Sequence, residues 1–265
     1  MESRGFTLIE LLVVISIIAL LLAMVLPAFS SVRSQARATL CQTHLRNLLL
    51  EFEQYAQSEN GAFPFGSIKG VEYAPSDGWA GYGTIDMMRW WWFDFIETVN
   101  HSDLRDSETL ECPSKRFEDH ARQASVLWGN YGVNEALCVP TQLIHPEKPV
   151  VRRARFRHEF RRLASTILIA DSGHARISWT QATSDPPDYI PYAEPGTPYI
   201  PGMEINKQRT LDDEVVEDAI SGRHPGKTIN IGFADGHLER KPADFLLVEK
   251  REEKTYTNIK PLWEP

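Results

Sequence analysis

The N-terminal part of the chain is dominated by one long apolar stretch. From Leu11 to Leu26 the only polar residue is Ser16, and the stretch extends from Phe6 to Phe29 if four interruptions are accepted. A helix needs about 20 mostly apolar residues to cross a bilayer. The 24 residues from 6 to 29 therefore predict a membrane-spanning helix.

Beyond this stretch, hydrophobic residues recur at spacings of three and four, which is the period of a helix with one buried face. The residues on this face are Leu45, Leu48, Leu49, Phe52, Tyr55 and Ala56. Pro27 is expected to kink the helix without ending it, whereas Asn60 and Gly61 supply a stop. We expect one long helix, with residues 6–29 in lipid and an amphipathic half over residues 30–60. A membrane anchor followed by a separate surface helix fits the same pattern.

Towards the C-terminus the period changes to two, which is typical of β-strands. Apolar and polar or small residues alternate from Lys227 to Ala234, and Asp235-Gly236 is a hairpin turn signal before a second strand. Another buried strand is predicted at residues 167–170. These patterns favour an α+β fold in which the long helix packs on a small antiparallel sheet with long loops, formed by a globular domain of residues 61–265.

The aromatic run from Trp90 to Phe93 is the densest cluster of large side chains. We expect a short helix near Met87 to Val99 and interpret the run as core and subunit-contact material, because large aromatic side chains usually bury area. A platform that stacks carbohydrate or a base is the alternative.

The overall composition is that of an ordinary globular protein, with 42% hydrophobic and 24% charged residues among 265. A net charge of −8 disfavours a broad nucleic-acid surface. Six arginines between Val151 and Arg162 form a local basic run. We interpret it as a solvated face that pairs with acidic neighbours. The alternative is a docking surface for another subunit, anionic lipid or nucleic acid through Arg152, Arg153, Arg155 and Arg157.

An acidic residue, Glu10, interrupts the apolar stretch. An ionised carboxylate inside a membrane helix costs on the order of 3 kcal/mol and normally has a partner. Either Glu10 lies near the lipid headgroups and is hydrated, or its partner is a positive charge created by cleavage of the chain. The residues Gly5-Phe6-Thr7-Leu8-Ile9-Glu10, which follow a short leader, resemble the N-terminus of type IV prepilins and type II secretion pseudopilins.

This resemblance implies that a prepilin peptidase removes residues 1–5 between Gly5 and Phe6 and that Phe6 is then methylated. It also implies that Glu10 pairs with the terminal amine of a neighbouring subunit. Pairing would relieve the cost of burying both charges. The implied protein is a structural subunit of a type II secretion pseudopilus or type IV pilus-like filament, and it catalyses no reaction.

The implied partners are the prepilin peptidase and N-methyltransferase, other pilin or pseudopilin subunits, the assembly platform, and membrane lipid before assembly. The resemblance places the chain in the inner membrane as a single-pass protein with its C-terminal domain in the periplasm. The basic residues flanking the apolar stretch do not themselves favour that orientation.

The body of the chain resembles a large pseudopilin-like family with a C-terminal His-to-Asp-Gly signature. The resemblance rests on Cys112-Pro113-Ser114, on residues 130–134 and 166–171, and on His224 with Asp235-Gly236. Ten residues separate His224 from Asp235, where the family has nine.

Four residues are candidate metal ligands, namely Asp171, His224, Asp235 and His237. Carboxylate and imidazole groups suit zinc or another divalent cation, although the spacing is not a standard ligand pattern. No other cofactor is expected. Asp235 and Gly236 are interpreted first as turn residues.

Three cysteines allow at most one disulfide bridge. In an oxidising compartment we expect Cys112 to pair with Cys138, because Cys41 falls on the predicted long helix. Three free thiols are the alternative.

Other classes of protein remain open at this stage. A secretory signal cleaved at Ala28-Phe29-Ser30 would release a soluble domain that starts at Ser31. A plain anchor would retain the leader. Either would produce an anchored or secreted periplasmic binding protein, and a hydrolase would use Asp171, His224 and Asp235.

Overall fold

The computed structural model describes residues 8–69, 89–104, 107–115, 126–127, 129–139, 141–142, 154–173, 175–177, 223–242, 245, 248–252 and 255–258. The predicted processing site, Gly5 and Phe6, lies outside the described residues. So do Arg152 and Arg153 of the basic run.

Helix α1 runs over Leu8–Ser58 with Pro27 inside it. At 1.5 Å per residue its 51 residues span about 75 Å. Asn60 and Gly61 follow with positive φ angles of 56° and 85°, a conformation that asparagine and glycine tolerate at the end of a helix. The N–H of Gly61 donates to the carbonyl of Ala56 at 2.6 Å. The prediction of one long helix that continues past Pro27 is thus confirmed.

The two halves of α1 differ sharply in exposure. The large apolar side chains from Leu8 to Val32 are exposed. In the second half one face is buried, and its hydrophobic members are Ala38, Cys41, Leu45, Leu48, Leu49, Phe52, Tyr55 and Ala56. Among the described residues, α1 is the helix that is long and apolar enough to cross a membrane. The predicted amphipathic face is the one that packs on the domain.

The described residues after α1 form short elements. The strands are β1 (Ser67–Lys69), β2 (Arg89–Trp91), β3 (Tyr131–Asn134), β4 (Thr141–Gln142), β5 (Ile167–Asp171), β6 (Arg176–Ile177), β7 (Thr228–Phe233), β8 (Leu238–Pro242), β9 (Val248–Glu252) and β10 (Thr255–Asn258). Helix α2 spans Trp92–Asn100, and 3-10 helices lie at Glu108–Leu110, Arg157–Glu159 and Leu163–Ser165.

The largest sheet has five strands in the order β6-β3-β5-β7-β8. Its pairs are antiparallel except that β6 joins β3 in parallel at one edge. Smaller sheets have the orders β2-β1-β4 and β10-β9. The α+β class is confirmed, as are the strand at residues 167–170 and the hairpin of β7 and β8.

Helix α1 lies very close to β7. A Cβ atom at Gly232 would be 2.8 Å from Cδ2 of Leu49 and 2.9 Å from Cγ2 of Ile169. Side chains alternate along a strand, so Asn230 shares the face of Gly232 that is turned toward the helix. Asn230 is therefore fully buried, although the alternation in the sequence places it among the polar positions of the strand.

Helix α2 begins at Trp92 rather than near Met87, because Trp90 and its neighbour belong to β2 and pair with β1. The Trp92 ring stacks on Phe52 of α1 with centroids 5.4 Å apart. Trp91 and Trp92 are both buried. They are core residues, as interpreted from the sequence, and are not exposed for stacking on a ligand.

Candidate functional site

The predicted assembly segment is partly described. Glu10 lies in the first turn of α1, where a carboxylate interacts favourably with the helix dipole. The large side chains that surround it along the helix, from Leu8 to Leu12, are exposed and apolar. The pairing of Glu10 with a terminal amine on Phe6 stays a prediction, because Phe6 lies outside the described residues.

A second group of residues forms a buried cluster, which consists of Cys41, Cys112, Asp171 and His224. Each offers one metal-ligating atom, and these atoms all lie within 4.8 Å of one another. The four residues are between 0% and 3% exposed. They come from four segments: α1, the residues after the 3-10 helix at 108–110, the end of β5, and the turn before β7.

Cys41 reaches the cluster because it lies on the buried face of α1, one turn before Leu45. Its Sγ is 3.0 Å from Sγ of Cys112 and 3.1 Å from Oη of Tyr131. The thiol also donates to Oδ1 of Asp171 at 3.4 Å. Helix α1 thus places the sulfur atom of Cys41 against polar side chains of the sheet, namely Tyr131 of β3 and Asp171 of β5.

Asp171 and His224 form the other side of the cluster. Oδ2 of Asp171 lies 3.0 Å from Nε2 of His224 and accepts the backbone N–H of Asn230 at 2.6 Å. His224 is held by a tight turn, in which it exchanges backbone hydrogen bonds with Thr228 at 3.1 and 3.3 Å. Gly226 makes that turn possible with a positive φ of 76°.

Two buried polar atoms, one in the cluster and one on the neighbouring Asn230, lack a partner among the described residues. Nδ1 of His224 and Oδ1 of Asn230 have no hydrogen-bond partner within the part of the chain that the structure describes. Buried polar atoms are nearly always paired, so each such atom requires an explanation.

Neighbouring groups fix the loops that carry the cluster. The backbone N–H of Cys112 donates to Oδ1 of Asn130 at 2.9 Å. The guanidinium of Arg223 donates to the carbonyls of Asn130 at 3.2 Å and Ser172 at 3.1 Å. One cation therefore ties the segment before β3 to the end of β5, next to the cluster.

Burial opposes charge on every member of the cluster, but local contacts outweigh it at three of them. Burial lowers the pKa of His224, whereas hydrogen bonds with Asp171 and Cys112 raise it to a net value of about 9. Burial also acts against ionised Asp171, but the hydrogen bond from His224 holds the pKa of this carboxyl below its usual range. Burial acts against a Cys112 thiolate, while hydrogen bonds from Cys41 and His224 and the charge of Arg223 lower its pKa.

Burial and the neighbouring Cys112 raise the pKa of Cys41. The group therefore favours a thiolate on Cys112, a protonated His224 and an ionised Asp171. A reactive cysteine needs an accessible sulfur atom, and the Cys112 side chain is buried. The hypothesis of a hydrolase that uses Asp171 and His224 gains no open substrate site from this arrangement.

The four predicted metal ligands divide into two pairs. Asp171 and His224 belong to the buried cluster, together with two cysteines that the sequence analysis did not propose as ligands. Asp235 and His237 lie in the β7–β8 turn, where Oδ1 of Asp235 is 2.5 Å from Nδ1 of His237. Both side chains of this second pair are more than a third exposed. Gly236 completes the turn with φ of 93°.

The expected disulfide between Cys112 and Cys138 is not formed. All three cysteines are free and buried, and the sulfur that lies beside Cys112 is that of Cys41. The expected pairing set Cys41 aside as a helix residue, whereas α1 turns this position into the core, and the structure has the three free thiols of the alternative. The buried position of Cys41 could have been predicted from the sequence, because Cys41 lies one helical turn before Leu45 in the apolar series of α1.

Part of the basic run is held by carboxylates of the same chain. Arg157 forms an ion pair with Glu53 of α1, and Arg155 forms one with Glu159 at 3.3 Å. Arg155 also lies over the ring of Phe160. These contacts favour the interpretation of a face that pairs with acidic neighbours over that of a nucleic-acid surface.

Two comparisons with known proteins match part of the chain. The prokaryotic N-terminal methylation motif family matches residues 1–26. The type IV wide pilus major component PilA4 of Thermus thermophilus is 39% identical over 62 residues, which is 23% of this chain and 47% of that protein. The chain thus spans about half the length of this curated relative. No solved structure matches the chain. The chain thus carries the N-terminal methylation motif at residues 1–26 and is similar over part of its length to a type IV pilin.

Proposed function

We propose that this chain is a structural subunit of a type IV pilus-like filament or a type II secretion pseudopilus. The observation that carries the proposal is the division of α1 into an exposed apolar half and a half buried on the domain, combined with the methylation motif at residues 1–26. The first half suits lipid before assembly and the apolar interior of a filament afterwards. Lipid and the interior of a filament both keep these apolar side chains away from water, so transfer between them costs little hydrophobic free energy.

Processing is the first step of the proposed function. A prepilin peptidase cuts between Gly5 and Phe6, and an N-methyltransferase modifies the new amine of Phe6. The domain of residues 61–265 faces the periplasm while α1 is held in the inner membrane. The assembly platform then extracts the subunit into the filament.

Axial register is the second step. The ammonium group of Phe6 on one subunit pairs with the carboxylate of Glu10 on a neighbour, within an apolar layer where each charge alone is costly. The globular domain makes the lateral contacts. The proposed role is mechanical, and the chain is a substrate of the peptidase.

Mass spectrometry of the mature N-terminus tests the processing step. We expect native protein to begin at a methylated Phe6. A chain that begins at Ser31 would indicate secretion through an ordinary signal peptide, and an intact Met1 would indicate a simple anchor. Either result would overturn the filament proposal.

A Glu10→Val variant tests the pairing step. We expect cleavage after Gly5 to continue and the amount of subunit in sheared or crosslinked filaments to fall. Ser16→Val is the matched control, because it also replaces a polar residue of the apolar half, and the Ser16 hydroxyl donates to the carbonyl of Leu12 in its own helix. Normal incorporation of Glu10→Val would contradict the pairing.

A further inference from the structure

The buried cluster has the composition of a structural metal site. Two thiols, one imidazole and one carboxylate converge, and one ligating atom from each lies within 4.8 Å of the others. Thiolate sulfur, imidazole nitrogen and carboxylate oxygen are the three ligand types that zinc takes in proteins. We propose that Cys41, Cys112, Asp171 and His224 bind a zinc ion that fastens helix α1 to the five-stranded sheet. This inference does not depend on the proposed filament function.

The distances within the cluster suit a small rearrangement around zinc. The bond lengths of tetrahedral zinc place two sulfur ligands about 3.8 Å apart and mixed ligand pairs about 3.3–3.5 Å apart. The observed separations are 3.0 Å between the sulfur atoms of Cys41 and Cys112, 3.4 Å from Sγ of Cys41 to Oδ1 of Asp171, and 3.0 Å from Oδ2 of Asp171 to Nε2 of His224. Because one ligating atom from each residue already lies within 4.8 Å of the others, shifts of about 1 Å would open a tetrahedral site.

Charge balance also favours a cation of this kind. Two thiolates and one carboxylate around Zn²⁺ leave a single net negative charge. The guanidinium of Arg223 acts electrostatically on Asp171 and Cys112 and compensates that charge. A buried site needs such compensation, because an unbalanced charge away from water is costly.

The surroundings orient the proposed ligands as those of metal sites do. Oδ2 of Asp171 accepts the backbone N–H of Asn230, and the Tyr131 hydroxyl lies within hydrogen-bond distance of Cys41 Sγ. Contacts to the ligands fix their direction and tune the metal. Nε2 of His224 faces Oδ2 of Asp171 at 3.0 Å, while its Nδ1 has no hydrogen-bond partner among the described residues.

A Cys41–Cys112 disulfide is the competing use of the two sulfur atoms. The S–S distance of 3.0 Å exceeds the bond length of about 2.05 Å. A disulfide would also leave the convergence of Asp171 and His224 with both thiols without a role. A zinc site uses all four residues.

The proposed site is closed, which points to a structural role. With four protein ligands zinc has no open position for a substrate, as in structural zinc sites generally. Because the ligands come from α1, β5 and two loops, the ion would join segments that are 71 and 130 residues apart along the chain. Its binding would be coupled to folding.

The test uses the full-length protein in mild detergent, purified under reducing conditions without added chelator. We expect stoichiometric zinc by elemental mass spectrometry. Replacement with Co²⁺ should produce the visible absorption of tetrahedral cobalt together with sulfur-to-cobalt charge-transfer bands. The cobalt spectrum reports the ligands directly in the unmodified chain, so it does not depend on the folding of a variant.

Variants of the cluster are compared with closely matched controls. We expect Cys41→Ser and Cys112→Ser to weaken zinc binding by more than the roughly 10- to 100-fold typical of residues that only orient a ligand. Cys138→Ser should bind zinc normally, because Cys138 is equally buried and free but is not part of the cluster. His237→Gln should also bind normally, whereas His224→Gln should not.

Three outcomes would overturn the proposal. One is reduced, folded protein that takes up neither zinc nor cobalt at saturating metal. The second is a chain that is 2 Da lighter because Cys41 and Cys112 are joined, with no metal bound after reduction. The third is a Cys41→Ser/Cys112→Ser double variant that retains stoichiometric zinc.

Discussion

The two halves of helix α1 differ in how their apolar residues are arranged and in what covers them. In the first half the large apolar side chains are exposed around the whole helix, whereas in the second half a single face is buried and most of the remaining positions are polar or charged. The first half thus depends on lipid or on other subunits to cover it. The second half is stabilised by its own domain. The proposed transfer of the first half from lipid into a filament therefore leaves the contacts of the second half with the domain unchanged.

The contrast also explains where the domain is most sensitive to change. The second half of α1 meets β7 at Gly232, α2 at the ring of Trp92, and the buried cluster at Cys41. Each of these contacts joins residues that are distant in sequence. Substitutions in this half should act on folding, and substitutions in the first half should act on insertion or assembly.

The largest expected effect is that of Leu48→Ala. Leu48 is fully buried, and removing a core leucine side chain typically costs about 2–5 kcal/mol because a cavity is left. The measurement is chemical unfolding of the full-length protein in detergent, followed by tryptophan fluorescence. That signal reports the domain, since the first half of α1 contains no tryptophan.

Two other leucines of the same helix serve as controls. Leu50 is 64% exposed and Leu20 is 60% exposed, so alanine at either position should change the free energy of unfolding by no more than about 0.5 kcal/mol. An equal loss of stability for Leu20→Ala and Leu48→Ala would break the distinction between the two halves.

The sequence predicted the helix and its two halves because their signals are local. The length of the apolar stretch, the three-and-four spacing around Phe52 and the stop at Asn60-Gly61 are each contained within a few turns. The hairpin at Asp235-Gly236 is local as well. The start of α2 was misplaced because Trp90 and Trp91 pair with β1, a contact between segments about 20 residues apart that periodicity does not reveal.

The candidate metal cluster could be predicted only in part. Asp171 and His224 were recognised by residue type, whereas Asp235 and His237, of the same types, lie in an exposed turn. His224 precedes β7 and Asp235 follows it, so these two residues lie at opposite ends of the same strand. Cys41 and Cys112 meet only after α1 has packed on the sheet, and the sequence alone favoured a different cysteine pair.

The next largest effect is expected for Gly232→Ala, which tests how closely the second half of α1 approaches the sheet. A Cβ atom there would lie 2.8 Å and 3.0 Å from the two Cδ atoms of Leu49. Overpacking of this kind costs typically about 1–3 kcal/mol. Because Leu49→Ala removes both Cδ atoms, the cost of Gly232→Ala should be smaller in that background. Part of the cost should persist, because Cγ2 of Ile169 would lie 2.9 Å from the same Cβ atom. Equal costs in both backgrounds would contradict the close contact between Leu49 and this strand.

The smallest effect concerns the ion pair between Glu53, on the second half of α1, and Arg157 of the basic run. Hydrogen bonding from Arg157 holds the pKa of Glu53 below its ordinary value of 4.5. The pair therefore stabilises the fold fully above that pH, and its contribution is lost as the pH falls through the folded-state pKa. Because the Glu53 side chain is 37% exposed, we expect a coupling of only about 0.5 kcal/mol.

A double-mutant cycle measures this coupling without the other contacts of either side chain. The variants are Glu53→Gln, Arg157→Met and their combination, and the cycle is run at neutral pH and again in acid below the pKa of Glu53. We expect coupling in the first condition and none in the second, because only the ionised carboxylate attracts Arg157. Coupling that persists in acid would mean that the two side chains interact through packing alone. The pH dependence of the free energy of unfolding would then have to come from other carboxylates. The ion pair on the second half of α1 would contribute no more to folding than the exposed surface of the first half.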